Sequence, residues 1–207
     1  MELLKAANVA KSYQGRVILA DVSATLRAGT VTLFSAPSGS GKSTLLEILA
    51  GVQDPDGGSV TRNAPASLMF QDNALVPNLD AAGNLAYILP RGTPDGERRE
   101  RIGRWLGIFG LEGPMYPRSM SSGMKRRLSL ARTFLAERPI TLLDEPFAFL
   151  DDKWHETVAS LIRGKADAGG AVALAGHGAA PALTDACGDV LRVLELGPSP
   201  VTLPETE

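Results

Sequence analysis

Two hydrophobic periodicities divide the chain into three stretches. In the first, apolar residues fall in short β-like runs at 3–9, 24–26 and 31–34, punctuated by Gly15 and Gly29. A Ser- and Gly-rich loop at 36–41 follows the third run. Residues 42–50 then carry Leu45, Leu46, Ile48 and Leu49 at the spacing of a buried helix. Residues 60–61 and 67–70 are further strand candidates. From Gln71 to about Arg118 the strand-like runs stop. Asp80 is placed to cap a helix over 81–89, residues 90–95 read as a loop, and residues 97–109 form an amphipathic helix. This stretch reads as a small helical subdomain inserted into an α/β core. Alternation then returns: a helix over 122–137, an apolar strand at 140–143 ending in Asp144-Glu145, a helix over 153–166, and strands at 171–175 and 190–196. Strands alternating with helices predict a largely parallel, buried sheet. The expected organisation is one domain, with a core at 1–70 and 119–196, the helical insertion at 72–118 and a frayed tail at 197–207.

Composition narrows the class. A chain of 207 residues corresponds to one domain that needs no disulfide or metal to fold. The net charge of −2 argues against a nucleic-acid-coating protein, so no nucleic-acid partner is expected. The single cysteine, Cys187, excludes an internal disulfide framework and a cysteine-based zinc site, and reads as a small apolar filler. No run approaches the roughly 20 apolar residues of a spanning helix. The start, Met1-Glu2-Leu3-Leu4-Lys5, has no basic region followed by an apolar one, so a cytoplasmic location is expected.

Three local constellations carry chemistry. The first is Ala36-Pro37-Ser38-Gly39-Ser40-Gly41-Lys42-Ser43-Thr44, between a strand and a helix. Gly39 and Gly41 let backbone N–H groups turn inward around an anion, and the helix N-terminus adds partial positive charge there. Lys42 is a point charge for β- and γ-phosphates, and the Ser43 hydroxyl is the expected ligand of Mg²⁺. A Ser/Gly turn without a ligand is the plainer alternative, and the strand-to-helix context argues against it. The second is Asp144-Glu145 at the end of a buried strand. One carboxylate can hold the Mg²⁺ shell and the next can deprotonate water; taken alone, the pair could instead be a strand end and a helix cap. The third is Met120-Ser121-Ser122-Gly123-Met124 before a basic helix. Ser121, the Gly123 N–H and the helix start form another anion site. Two γ-phosphate sites with one lysine-bearing loop suggest that the second serves another subunit.

This ordered set resembles the nucleotide-binding subunit of the ATP-binding cassette (ABC) family. Residues 36–43 match its Walker A loop, Asp144-Glu145 its Walker B end and catalytic glutamate, and 120–124 its signature motif. Tyr13 matches the aromatic that stacks on adenine, Gln71 the Q-loop glutamine, Asp151 the D-loop aspartate, and His177 the switch histidine. Tyr13, Gln71 or His177 alone would carry no weight; their order from residue 13 to 177 does. Ala36, Met120, Ser122, Met124 and Phe149 depart from the family pattern. His155 and the charged run Glu97-Arg98-Arg99-Glu100-Arg101 with Arg104 receive no role and are read as exposed helix faces.

The resemblance implies a P-loop α/β core, an N-terminal antiparallel β subdomain and an inserted helical subdomain. It implies ATP as substrate and Mg²⁺ as cofactor. Lys42, Glu145 and His177 act in catalysis, while Tyr13, Ser38, Gly39, Ser40, Gly41, Ser43, Thr44 and Gln71 bind the nucleotide. Ser43, Gln71 and Asp144 hold the metal, and Ser121, Ser122, Gly123 and Asp151 meet the other subunit's ATP. The implied partners are a second ATPase subunit, identical or not, an integral membrane permease and, for an importer, an extracytoplasmic substrate-binding protein. The implied location is the inner face of the cell membrane. The segment Phe70-Gln71-Asp72-Asn73-Ala74-Leu75-Val76-Pro77 is similar to importer-type ATPases. A mechanical ATPase of the lipoprotein-release or cell-division type is the alternative, and a regulatory module with impaired hydrolysis is a third.

Overall fold

A computed structural model describes residues 1–197, so the tail expected to fray lies, apart from Gly197, outside the described residues. In chain order the elements are β1 (Glu2–Tyr13), β2 (Arg16–Arg27), β3 (Thr30–Ser35), α1 (Lys42–Ala50), β4 (Gly57–Arg62), β5 (Ala66–Met69), α2 (Ala81–Ala86) and α3 (Asp95–Ile108). A 3₁₀ turn (Pro117–Ser119) precedes α4 (Ser122–Leu135), β6 (Ile140–Asp144), α5 (Asp152–Asp167), β7 (Ala171–Gly176), α6 (Pro181–Cys187) and β8 (Leu191–Glu195). Two sheets result. One is antiparallel, in the order β2-β1-β4; the other has five strands in the order β5-β6-β7-β3-β8. All the pairings of the second sheet are parallel.

The period-2 pattern of the central strands sorts their side chains onto two faces. Val31, Leu33, Leu143, Val172 and Leu174 join one cluster with Leu128 and Leu130 of α4, Val158 and Ile162 of α5 and Leu183 of α6. Phe34, Leu142, Ala171, Ala173 and Ala175 face the other way, against Leu45, Leu46, Ile48 and Leu49 of α1 and the apolar face of β1 and β2. Both faces of the parallel sheet are therefore covered, and β6 is buried at every residue.

Between β5 and α4 the described elements are helical. α2 is capped by Asp80, whose side chain accepts the Gly83 N–H at 2.7 Å. Asn84, fully buried, donates to the carbonyls of Val76, Leu79 and Asp80 and accepts the Val76 N–H, so it closes the loop before α2. A stack of rings joins α3 to the core: Trp105 lies 5.9 Å from Phe134 of α4, and Phe109 lies 6.2 Å from Trp154 of α5.

The structure extends or corrects the sequence reading at four places. β2 is a full strand of 12 residues rather than 24–26 alone. A bulge at left-handed Asp21 (φ 57°) breaks its two-residue period, and a second, at Asn8 of β1 (φ 53°), shifts the register between the two strands. α6 was hidden by its seven-residue length, although Pro181 at its start and Leu183 and Cys187 on its buried face are helical signals. His155 is half-buried, with Nε2 3.1 Å from the Phe147 carbonyl and its ring edge-on to Phe147. Arg101 is not merely solvated: it donates to the Leu135 carbonyl and pairs with Glu137, tying α3 to the end of α4.

Candidate functional site

Because β3, β6 and β7 run parallel, their C-terminal ends lie together, and the candidate residues follow those ends. β3 runs into the loop 36–41, held to the neighbouring strand by the Ala36 N–H bond to the Gly176 carbonyl at 3.3 Å. Gly41 closes the loop with φ 85° as the residue before α1. A Cβ there would lie 2.8 Å from Ile18 and Leu19 side-chain carbons and 2.9 Å from the Ile18 carbonyl oxygen, so both conformation and space demand glycine. Gly39, at φ 77°, faces open space. The first amides of α1, which have no acceptor inside the helix, lie at the end of this loop. Lys42 is 5 % exposed, and its ammonium donates to the carbonyls of Ala36 (2.7 Å) and Pro37 (2.9 Å), which fixes it across the loop. The Ser40 hydroxyl is buried and has no hydrogen-bond partner among the described residues. That is a donor left over in a loop otherwise well bonded.

At the end of β6, Asp144 is buried and lines one cleft with Ser43 of α1. Burial pushes its carboxyl above the usual carboxylate range and Glu145 adds to this, while the Ser43 hydroxyl, Arg126 and Lys42 oppose. Glu145 takes a left-handed backbone (φ 50°), pinned by its N–H bond to the Ala175 carbonyl at 3.1 Å. A glutamate in that region costs about 1–3 kcal/mol, and such strain concentrates where a side chain must be aimed. Ser43, Gln71, Asp144 and Glu145 line one cleft of about 480 Å³ with Glu47, Phe70, Asp72, Arg126 and Phe149. His177, at the end of β7, places Nε2 3.4 Å from Glu145 Oε1 and 3.4 Å from Ser38 Oγ. Loop, metal-side and base-side residues thus meet at one edge of the sheet.

The chemistry of this set fits Mg²⁺. Among the described residues no three His, Cys, Asp or Glu side chains cluster as an all-protein metal cage. A hydroxyl and one carboxylate beside a phosphate cradle is the sparse protein shell that Mg²⁺ takes when phosphate oxygens and water complete it.

Two groups stand apart. Tyr13, at the tip of the β1–β2 hairpin, is 46 % exposed, and its hydroxyl bonds Gln53 at 2.5 Å. Gln53 in turn bonds Glu47 of α1 at 2.6 Å, so the ring edge is anchored and a face is left for stacking. Ser121, Ser122 and Gly123 lie at the start of α4 and line a separate cleft of about 440 Å³ with Arg127, Phe149, Asp151 and Trp154. Ser121 caps α4 by accepting the Met124 N–H. Gly123 is required by close approach: a Cβ would lie 2.7 Å from the Phe149 carbonyl oxygen. Asp151 caps α5 and so presents its loop beside that helix start.

The sequence does not single out Arg126: it stands in a basic helix, and the signal that distinguishes one arginine is burial, which a run of three cations conceals. Arg126 is 1 % exposed and reaches the backbone of both Gln71 and Asp144.

A glycine-closed phosphate cradle with a buried lysine, at the edge of a parallel sheet whose next strands deliver two carboxylates and a histidine, defines a P-loop nucleotide-binding protein. The family pattern described as ABC transporter matches residues 19–148, more than half of the chain, and the chain belongs to that family. It is 36 % identical over 220 residues to the Fe(3+) ions import ATP-binding protein FbpC of Pseudomonas fluorescens, covering 95 % of this chain and 60 % of that one. It is 37 % identical over 191 residues to the taurine import ATP-binding protein TauB of Chromobacterium violaceum, covering 86 % of this chain and 73 % of that one. The fold matches a dimeric post-hydrolysis state of the ATP-binding cassette MJ0796 bound to ADP and Pi. There the TM-score is 0.82 at 26 % identity, over 95 % of both chains.

Proposed function

We propose that this chain is the ATP-hydrolysing subunit of an ABC import complex, acting as a head-to-tail pair on the cytoplasmic side of a membrane permease. The observation that carries it is the division of the site. Ser43, Gln71, Asp144 and Glu145 share one cleft beside the phosphate loop, whereas Ser121 to Gly123 open into another. Each subunit then holds two unlike half-sites, and two copies in head-to-tail order complete both. Relatives of near-equal identity are named for iron(III), taurine and sulfate or thiosulfate import. The proposal therefore stops at the coupling subunit and leaves cargo to the permease and to an extracytoplasmic binding protein. No helix among the described residues is long and apolar enough to cross a membrane, which suits a subunit docked on one.

The chain's residues act as follows. Lys42 and the amides of Gly39 to Thr44 neutralise the β- and γ-phosphates, and Tyr13 stacks on the base. Mg²⁺, when held by Ser43 and Asp144 with Gln71 beside them, supplies further charge neutralisation of the transferred phosphoryl group. Glu145 takes the proton of the attacking water, a contribution of about 10²–10⁴-fold. His177, between Ser38 and Glu145, bonds the γ-phosphate and orients that water. Ser121, Ser122 and the Gly123 N–H of the partner close the site, because phosphoryl transfer depends chiefly on positioning and charge. Loss of the γ-phosphate removes that contact and lets the pair open. Phosphate release from the chain reconstituted with its membrane partner tests the reading. Wild type turns over, and Glu145→Gln binds ATP without releasing phosphate. A wild-type complex that binds nucleotide and releases none contradicts it.

A further inference from the structure

The segment after Gln71 is unusually constrained. Asn73 and Ala74 both hold left-handed backbones (φ 67° and 43°), a conformation that costs alanine energy and persists only when neighbours enforce it. The enforcing groups stand one turn apart along a single face of α4. Ser129 donates to the Asn73 carbonyl at 3.2 Å, and Arg132 donates to the carbonyls of Asn73 and Ala74, both at 2.7 Å. Arg126, one turn earlier, donates to the Gln71 carbonyl at 3.0 Å and lies 3.5 Å from that of Phe70. Unlike Ser129 and Arg132, it also reaches the end of β6, with the Asp144 carbonyl at 3.4 Å from the same nitrogen as Phe70. Its guanidinium carbon sits 6.0 Å from the exposed Phe149 ring.

This is a costly arrangement for packing alone. A guanidinium removed from water loses its hydration, and here one of its donors, Nε, has no partner among the described residues. Burial pulls its pKa down, and the charges of Asp144, Glu145 and Asp72 oppose that. An apolar side chain would fill the space at less expense, but it would leave the Gln71 loop tied to α4 only from Asn73 onward and would remove the side-chain link to the Asp144 carbonyl.

We propose that Arg126 is a positioning residue that holds the Gln71 loop against the Asp144 end of β6, setting the spacing of Gln71, Asp144 and Glu145 around the reacting phosphate. It touches backbone, not substrate. Since α4 starts at Ser122 under the Ser121 cap, the same side chain makes the Gln71 loop and the partner-facing helix start one mechanical piece. The hydrolytic part of this inference rests on the function proposed above.

The test uses the full chain with Arg126→Met and Arg126→Lys. Hydrogen exchange without nucleotide reads the clamp directly. Residues 70–76 of Arg126→Met should exchange about 10-fold faster or more, with residues 42–50 unchanged. In the complex with its membrane partner, Arg126→Met should lower kcat by about 10- to 100-fold. Its affinity for a fluorescent ATP analogue should stay within about twofold, the Mg²⁺ concentration for half-maximal rate should rise, and Arg126→Lys should recover part of the loss. Unchanged protection at 70–76 overturns the proposal. So does a kcat equal to wild type, or a loss in which nucleotide affinity and thermal stability fall in step. If wild type itself binds ATP and releases no phosphate, the function reading fails and the exchange result alone decides the clamp.

Discussion

The two half-sites proposed for this chain are built in opposite ways. The phosphate-loop end is deep: Lys42 and Asp144 are 5 % and 4 % exposed, loop carbonyls hold the Lys42 ammonium, and Arg126 bonds the Asp144 backbone carbonyl. The Ser121 end is shallow. Ser121 and Ser122 are exposed, no carboxylate but Asp151 lines the cleft, and Gly123 packs its backbone close to the Phe149 carbonyl. A preorganised end binds by itself, whereas an exposed one contributes when another molecule covers it. Substitutions at the first should therefore change what a single subunit binds, and substitutions at the second what a pair can do.

The largest effect that would break this division is at Glu145. Glu145→Gln should reduce phosphate release by about 10²–10⁴-fold while ATP affinity, read by equilibrium binding, stays at the wild-type level. Tyr13→Ala should weaken nucleotide binding by about 5- to 150-fold, corresponding to the roughly 1–3 kcal/mol of base–aromatic stacking, and Tyr13→Phe should not. Isothermal titration separates the two. The paired glycines sharpen the comparison further. Gly41→Ala meets both a left-handed backbone and a collision, so it should cost about 1–3 kcal/mol of stability from conformation alone and also weaken ATP binding. Gly123→Ala meets the collision without the conformational cost. It should leave single-subunit binding unchanged and lower turnover about 10-fold by pushing the Phe149 loop away. Denaturant midpoints and turnover rates distinguish these outcomes. The smallest effect lies in neither half-site. Cys187 is fully buried and burial raises its thiol pKa, so iodoacetamide at pH 8 should modify it only as fast as the fold opens. Rapid alkylation of the native chain contradicts that burial.

The sequence was more informative about the deep end than the shallow one. A phosphate loop is a contiguous stretch whose glycines and lysine act through backbone they themselves shape, and a buried strand announces both its own burial and the Asp144-Glu145 end it carries. Parallel topology then brings Gln71 and His177 to that edge without further signal. Features made by contact between distant segments were not legible. Gly123 was recognised by resemblance, but its need for a bare backbone comes from Phe149, 26 residues on. Arg126 was masked by its neighbours Lys125 and Arg127, since charge in a sequence does not say which side chain turns inward. The long β2 was hidden by bulges that shift the alternation, and α6 by its shortness.

In the proposed pair, each ATP is shared between the deep end of one subunit and the shallow end of another. Lys42→Ala damages the first end and Gly123→Ala the second, so mixing the two variants tests it most directly. As homogeneous pairs, Lys42→Ala should be nearly inactive and Gly123→Ala about 10-fold slower than wild type. Mixed pairs should hold one site in which both halves are wild type, so phosphate release should recover to about a quarter of the wild-type rate when subunits assort at random. A mixture no faster than the variants measured separately contradicts the shared site.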